Sequence, residues 1–415
     1  SCCMNASDQL QELRRGTVDC HVDEELIERL RDGGSLRVKA GFDPTRPDLH
    51  LGHTVLMNKL RQFQDFGHRV VFIVGDFTAR IGDPTGRSQT RPTPSLEEIA
   101  EGARTYAEQA FKVLDEERTE IVYNASWLDK MQFSDVVRLA GKYTLARMME
   151  RDDFKRRSEK HLPISLHELL YPLAQGYDSI AVACDVELGG TDQLFNLLVG
   201  RDLMRESGLK PQVVMTTPLL EGLNARVEEG RIVGDKMSKS LDNYVGVSES
   251  ASQQFGKLMS ISDPLMWRYY DLLSTLSSSE IQARRADCAS GQLHPKAAKV
   301  ALAKEIVSRY HDHRVSEDAH RRWEAQFAQR QVPEDLLEHA VTAQEQGSIW
   351  LPKALVSAGV ASSTSDARRR IQQGAVEVDG TRVTSMDAVL QSGGRYVVKA
   401  GKRAWVAIKV ESQAD

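Results

Sequence analysis

Apolar positions along this chain alternate between two textures, short unbroken runs and stripes at helical spacing. The run 36–42 reads as a strand, and Leu51, Val55, Leu56, Leu60 and Phe63 follow at the spacing of one helical face. Gly67 closes that helix, and 70–74 is continuously apolar, as in a strand buried on both faces. Strand, helix and strand within about forty residues make a βαβ unit and imply a parallel sheet. Strand patterns return at 186–188 and 212–215, after a mainly helical, strongly charged stretch at about 127–178. Residues 1–33 are a polar lead-in whose best helix former is 24–30. The fold class read from 1–247 is therefore α/β, a doubly wound parallel-sheet domain with a helical insertion at about 127–178.

The texture then changes twice. Residues 248–345 carry mostly helical periodicity, as in Ala298, Val300, Leu302, Ile306 and Val307. From 348 onward two short helices, 351–358 and 365–373, precede strand-like runs at 375–378 and 381–383. These flank Asp379-Gly380, a strong hairpin signal. Runs at 396–399 and 404–410 flank Gly401. Residues 348–415 read as a small α+β module in their own right.

Composition narrows the function classes. Hydrophobic residues make up 41% and charged residues 27%, ordinary for a globular chain. No run of eighteen apolar residues suggests a membrane span. The first residues, Ser1-Cys2-Cys3-Met4, lack the pattern of a secretory leader, with Met4 a candidate start, so a cytoplasmic location is expected. The five cysteines are too scattered for a zinc site or a disulfide framework. A net charge of −5 excludes a chain that is basic throughout, so a nucleic-acid partner needs a local patch. Residues 348–415 hold ten Lys or Arg against six Asp or Glu, a net of +4. Arg368-Arg369-Arg370 on the second short helix, with Lys399, Lys402 and Arg403 at the later hairpin, form that candidate patch; the alternative is a solvated charged surface.

Candidate chemistry begins at His50-Leu51-Gly52-His53, where the first helix starts. Spacing of three puts both imidazoles on one face, Gly52 allows close approach of a ligand to the backbone, and the helix N-terminus favours phosphate oxygens. Two histidines that merely cap a helix are the alternative. The second element is Lys236-Met237-Ser238-Lys239-Ser240, whose two ammonium groups and small hydroxyl residues suit a mobile clamp for pyrophosphate. On its own such a loop is ordinary surface; with the histidine turn it is a specific pair. Tyr171, Gln175 and Asp178 fall on one helical face. The segment 82–88 lacks the spacing and the lysine of a P-loop.

These two motifs, together with Gly41-Phe42-Asp43-Pro44-Thr45, Gly82-Asp83-Pro84-Thr85-Gly86, Tyr171 with Gln175 and Asp178, and Gly189-Gly190-Thr191-Asp192-Gln193, resemble those of the bacterial tyrosyl-tRNA synthetases, Rossmann-type enzymes. The resemblance runs from about residue 38 to the C-terminus. It implies that tyrosine is activated with ATP, accompanied by Mg²⁺, and transferred to the 3′ end of tRNA(Tyr). It implies a tRNA anticodon-region domain at 248–345, a ribosomal-protein-like RNA-binding module at 348–415, and a homodimer joined through the insertion. His50, His53, Lys236 and Lys239 take the catalytic roles, with Asp43, Gly52, Asp192, Gln193, Met237 and Ser238 also at ATP. Thr78, Asp83, Asn124, Tyr171 and Gln175 surround the α-amino group of tyrosine, Gln193 holds the carboxylate side, and Asp178 accepts from the phenol. Arg87 and Arg91 lie on a loop near the pyrophosphate or the tRNA end. Two positions depart from the pattern: Lys39 stands where many relatives have tyrosine, and Leu194 where many have tryptophan. Lys39 is accordingly expected in the tyrosine pocket as a counter-charge to Asp178. Competing readings are a tryptophanyl-tRNA synthetase, a nucleotidylyltransferase, and a non-catalytic RNA-binding protein on a synthetase scaffold.

Overall fold

The computed structural model describes residues 5–44, 49–85, 94–330, 336–344, 347–401 and 404–412. The expectations for Thr45, Gly86, Arg87, Arg91, Lys402 and Arg403 lie outside the described residues. Two compact units divide the chain, residues 1–320 and 321–415.

The first unit is built on a six-stranded sheet of β1 (Cys20–His21), β2 (Arg37–Phe42), β3 (Arg69–Val74), β4 (Thr119–Tyr123), β5 (Val186–Gly190) and β6 (Val213–Thr217). The order is β1-β6-β5-β2-β3-β4, parallel except for β1 at the edge. From β2 the chain first extends the sheet to β3 and β4, then returns to place β5 and β6 on the other side. All of Val70–Val74 is buried, as a run covered on both faces must be. Sequence patterning had not revealed β1, a two-residue pairing, or β4, whose residues are half-buried or, at Tyr123, exposed.

Helices α1 (Ala6–Arg14) and α2 (Asp23–Arg31) form the lead-in, and α3 (Leu51–Asp65), α4 (Thr78–Ile81) and α5 (Leu96–Ala110) belong to the first half of the sheet. The apolar stripe of α3 packs inward through Leu51, Val55, Leu60 and Phe63, but Leu56 is only half-buried and faces the central cavity. Buried Lys59 on α3 donates to the carbonyls of Leu13 and Arg15 at 3.0 and 2.8 Å, capping the end of α1. The insertion contains α6 (Ala125–Leu128), α7 (Phe133–Ala140), α8 (Leu145–Met148) and α9 (Asp152–Glu159), and leads into α10 (Leu166–Ala181). Helix α10 packs closely on α11 (Leu194–Glu206), because a Cβ at Gly176 would stand 3.2 Å from Cα of Gly200.

Five helices follow, α12 (Ala251–Met259), α13 (Asp263–Leu273), α14 (Ser278–Ser290), α15 (Pro295–Tyr310) and α16 (His313–Arg330), as the periodicity of this stretch predicts. Between β6 and α12 a small antiparallel hairpin joins β7 (Arg226–Glu228) and β8 (Arg231–Val233). Among the described residues no helix is long and apolar enough to cross a membrane.

The second unit has a five-stranded sheet ordered β12-β11-β14-β15-β9, from β9 (Glu338–Thr342), β11 (Val376–Val378), β12 (Thr381–Arg382), β14 (Arg395–Ala400) and β15 (Trp405–Glu411). A separate pair joins β10 (Ser348–Trp350) and β13 (Val389–Gln391). Helices α17 (Leu351–Ser357) and α18 (Thr364–Gln372) pack through Leu355, Ala367 and Ile371 into its core. The Asp379-Gly380 turn has φ of 49° and 79°, the positive pair a two-residue hairpin of this kind requires. Strand β9 lies in the stretch expected to be helical; it pairs in parallel with β15, a partner more than sixty residues away in sequence.

Candidate active site

A cavity of about 640 Å³ opens at the carboxyl ends of the parallel strands. Asp43 follows β2, Gly75 follows β3, Asp192 follows β5 and Pro218 follows β6, and all four line it. The strand order reverses between β2 and β5, and that reversal opens the crevice where doubly wound sheets bind their ligands.

His50 is the N-cap of α3. Its Nδ1 accepts from the Gly52 amide at 3.1 Å, and Nδ1 of His53 accepts from the His50 amide at 3.1 Å. The rings lie 3.9 Å apart. Both histidines therefore cap the helix and line the cavity at once. With Nδ1 committed as acceptor, the neutral ring carries its proton on Nε2 and offers a donor there. Burial, with the neighbouring histidine and lysines, holds His50 well below the usual imidazole range; burial and the lysines bring His53 down to about 4. Gly52 is required by the cap itself: a Cβ there would lie 2.8 Å from the His50 ring.

The lysine loop follows β8. Lys236 Nζ pairs with Asp192 Oδ2 at 2.7 Å and remains half-exposed. Met237 is buried and its amide donates to the Leu220 carbonyl at 2.7 Å, which pins the loop between the two lysines. Lys239 lies over the Tyr244 ring at 5.8 Å. Buried Asn243 accepts from the Ser238 amide at 2.7 Å and donates to the Lys236 carbonyl at 3.3 Å. A side chain at Gly222 would collide with Asn243. Lys236, Met237, Ser238 and Lys239 all line the cavity, as do His50, Gly52 and His53.

Asp43, expected at ATP, accepts from Thr78 Oγ1 and Tyr171 Oη, both at 2.6 Å. Gly75 makes room for this contact, since its Cβ would stand 2.0 Å from Asp43 Oδ1. Asn124, fully buried, donates to Thr78 and to Asp178, each at 3.2 Å, and holds the Phe77 amide at 2.9 Å. Asp178 also accepts from Trp127 Nε1 at 2.8 Å. Burial raises its carboxyl to about 7 against the pull of Lys39, Trp127 and Asn124. Asp83 accepts from Gln193 Nε2 at 2.7 Å. Tyr171, Gln175 and Asp178 share one face of α10 and all line the cavity.

Lys39 is placed differently from expectation. It is fully buried and outside the cavity wall; Nζ bonds Glu187 Oε1 at 2.8 Å, Ser179 Oγ at 2.9 Å and the Gln175 carbonyl at 3.1 Å. Burial opposes its charge, yet Glu187, and then Asp178, hold its pKa above the ordinary lysine value. Its direct partner is Glu187, and from outside the cavity wall it still acts as the counter-charge expected for Asp178.

In the second unit, Arg368 and Arg369 are exposed and Arg370 is half-buried. Arg369 and Arg370 both pair with Asp366, at 2.6 and 3.1 Å. Lys399 lies 5.2 Å over the Trp405 ring.

Sequence reasoning had not singled out Trp127, Glu187, Gly75 or Asn243. Only Asn243, next to the lysine loop, carried a local signal; the others act through contacts made by distant strands and helices.

Residues 31–328 match the family of tRNA synthetases class I (W and Y), and residues 330–408 the tyrosine–tRNA ligase SYY-like C-terminal domain. The tyrosine–tRNA ligase of Desulfotalea psychrophila is 49% identical over 97% of this chain and 98% of its own length. That of Geobacter sulfurreducens is 50% identical over 98% and 99%. The fold is similar to that of the C-terminally truncated mitochondrial tyrosyl-tRNA synthetase of Aspergillus nidulans (TM-score 0.63, 22% identity, 78% of this chain and 94% of that one). It is equally similar to the Archaeoglobus fulgidus tyrosyl-tRNA synthetase complexed with L-tyrosine (TM-score 0.62, 24% identity, 75% and 99%). A catalytic half shared with tryptophan-specific enzymes, a tail typed to the tyrosine branch, and near-complete coverage at half identity together establish that the chain belongs to the tyrosyl-tRNA synthetase family.

Proposed function

We propose that this site activates tyrosine with ATP and passes the tyrosyl group to the 3′ end of tRNA(Tyr). One observation carries the reading: a single cavity is lined both by cationic and imidazole donors and by a buried carboxylate, Asp178. The tyrosine carboxylate attacks the α-phosphorus in line, and pyrophosphate leaves. No protein nucleophile is needed; positioning and electrostatic stabilisation supply the rate. Neutral His50 and His53 donate through Nε2, while Lys236 and Lys239 follow the charge onto the departing pyrophosphate. Lys236 can leave Asp192 for a phosphate because the pair is half-exposed and weakly held. Asp192 is then free for the ribose hydroxyls.

The phenol of tyrosine donates to Asp178, and its α-ammonium sits among Asp83, Tyr171 and Gln175. Among the described residues no three His, Cys, Asp or Glu side chains come together as ligands for an ion. A Mg²⁺ ion accompanying ATP would neutralise charge on its phosphates and take its ligands chiefly from them and from water. Arg368, Arg369 and Arg370 on α18 supply tRNA contacts, as does Lys399 on β14. The insertion leaves Phe133 83%, Leu145 64% and Leu166 82% exposed. Apolar exposure on that scale supports a homodimer joined there, with cytoplasmic protein synthesis as its setting.

The test is pyrophosphate exchange with each of the twenty amino acids. Tyrosine alone should support exchange; equal or better exchange with tryptophan would overturn the assignment. Sedimentation of Phe133→Asp against the parent chain tests the dimer.

A further inference from the structure

Asp83 and Gln193 line the cavity, and each is held by a residue that does not. The side chains of Arg151, Asn196, Gln193 and Asp83 close a ring of hydrogen bonds. Arg151 Nη1 donates to Asn196 Oδ1 at 2.9 Å, and Asn196 Nδ2 donates to Gln193 Oε1 at 3.0 Å. Gln193 Nε2 donates to Asp83 Oδ2 at 2.7 Å, and Arg151 Nη2 returns to Asp83 Oδ1 at 3.2 Å. Arg151 is 5% and Asn196 1% exposed. All three guanidinium nitrogens are engaged, for the group also bonds Thr85 Oγ1 and, through Nε, Asp153 Oδ1 at 2.8 Å. The ring ties the insertion, where Arg151 precedes α9, to the start of α11 and to the loop after α4.

Two consequences follow for the substrate end. The amide of Gln193 can face only one way, because a carboxylate accepts and Asn196 Nδ2 donates. The two oxygens of Asp83 also become unequal. Oδ1 accepts from Arg151 and from both the amide and hydroxyl of Thr85, at 2.9 and 2.7 Å for the latter two. Oδ2 accepts from Gln193. The crowded oxygen is turned toward the protein, and the other keeps acceptor capacity for a cation in the cavity.

We infer that Arg151 and Asn196 are positioning residues for the α-ammonium of tyrosine, acting through Asp83 without touching the substrate. The inference rests on Asp83 as the ammonium partner. Electrostatics agree with it: burial pushes the Asp83 carboxyl up, but Arg151 and the Thr85 and Gln193 hydrogen bonds hold it below its ordinary value. The carboxylate thus stays ionised before the substrate arrives, and the arriving ammonium shares a charge already in place.

Equilibrium tyrosine binding and pyrophosphate-exchange kinetics in the full chain test this with Arg151→Met, Arg151→Lys, Asn196→Ala and Asp83→Asn. Loss of a hydrogen bond to a charged group predicts a rise of about tenfold or more in KM for tyrosine in Arg151→Met. Its kcat and its KM for ATP should stay near those of the parent. Arg151→Lys, keeping the charge and losing the fork, should fall between. In an Asp83→Asn background Arg151→Met should add nothing further. The inference is overturned if Asp83→Asn weakens tyrosine binding while Arg151→Met and Asn196→Ala do not. It is also overturned if tyrosine and ATP suffer equally. Unchanged tyrosine binding in Asp83→Asn would instead refute the role of Asp83 itself.

Discussion

Lys39 Nζ and Glu187 Oε1 lie 2.8 Å apart with 0% and 1% of their side chains exposed, at paired positions on adjacent parallel strands. The pair is a floor beneath α10, because Nζ also bonds the Gln175 carbonyl and Ser179. Breaking one half of such a pair strands a buried charge, which costs about 3–5 kcal/mol. Lys39→Met should lower the unfolding free energy by that amount, and Lys39→Met with Glu187→Gln should recover much of it. Urea unfolding decides; a double variant less stable than the single one would refute the pairing. Because Lys39 also holds the Asp178 carboxyl down, the folded variant should bind tyrosine normally only at higher pH, whereas Asp178→Asn should lose the preference over phenylalanine at every pH.

Asp178 makes tyrosine recognition dependent on pH. Its carboxyl stands at about 7 in the free protein, and a phenol donates more strongly to the ionised form. Binding then favours ionisation and expels a proton. Affinity for tyrosine should fall as pH drops below 7, approaching tenfold per pH unit. Phenylalanine offers Asp178 no donor and should show no such fall. Trp127→Phe removes a hydrogen bond that lowers this pKa, so its profile should move to higher pH. Calorimetric titrations from pH 5.5 to 8.5 check both outcomes.

The lysine loop should act on the transition state more than on bound substrate. Lys236→Ala or Lys239→Ala is expected to slow adenylate formation roughly a hundredfold, with little change in the Kd for tyrosine. Rapid-quench measurement of adenylate formation is the check. Unaltered formation in both variants would mean that the clamp is not engaged.

Strand β9 decides where the tail can be cut. Removing residues 348–415 would leave β9 without β15, its partner, so a cut after residue 330 is the cleaner variant. That truncated chain should keep pyrophosphate exchange nearly intact while charging of tRNA collapses. In the full chain tRNA affinity should weaken steeply with salt, since phosphate contacts release counterions. Filter binding and charging assays at graded salt measure both.

Much of the catalytic unit was legible in the sequence because its signals are local. A five-residue apolar run rich in β-branched residues and closed off by glycines reads as a covered strand, and it became β3. The Asp379-Gly380 turn needs two positive φ angles, and it has them. The histidine turn, the lysine loop and the α10 face all entered one cavity because each lies on a short segment whose geometry its own residues specify. Legibility ended where a residue's meaning depends on a partner far away. Strand β9 has no strong pattern and exists through β15; Trp127 read only as the start of the insertion.

Chain order and local chemistry by themselves determined the parallel sheet, the helical insertion, the family resemblance and the residues able to meet a nucleotide and an amino acid. Tertiary structure alone decided how those residues are charged and aimed. Folding buried Lys39 in a direct pair with Glu187 while leaving it a counter-charge to Asp178, because β2 and β5 become neighbours only when the chain returns across the sheet. It set the histidine tautomers through the cap of α3 and closed the ring from Arg151 to Asp83 across segments about seventy residues apart. The reason is physical: a side chain's type is local, whereas its protonation state and direction depend on the dielectric and donors that the rest of the fold brings to it.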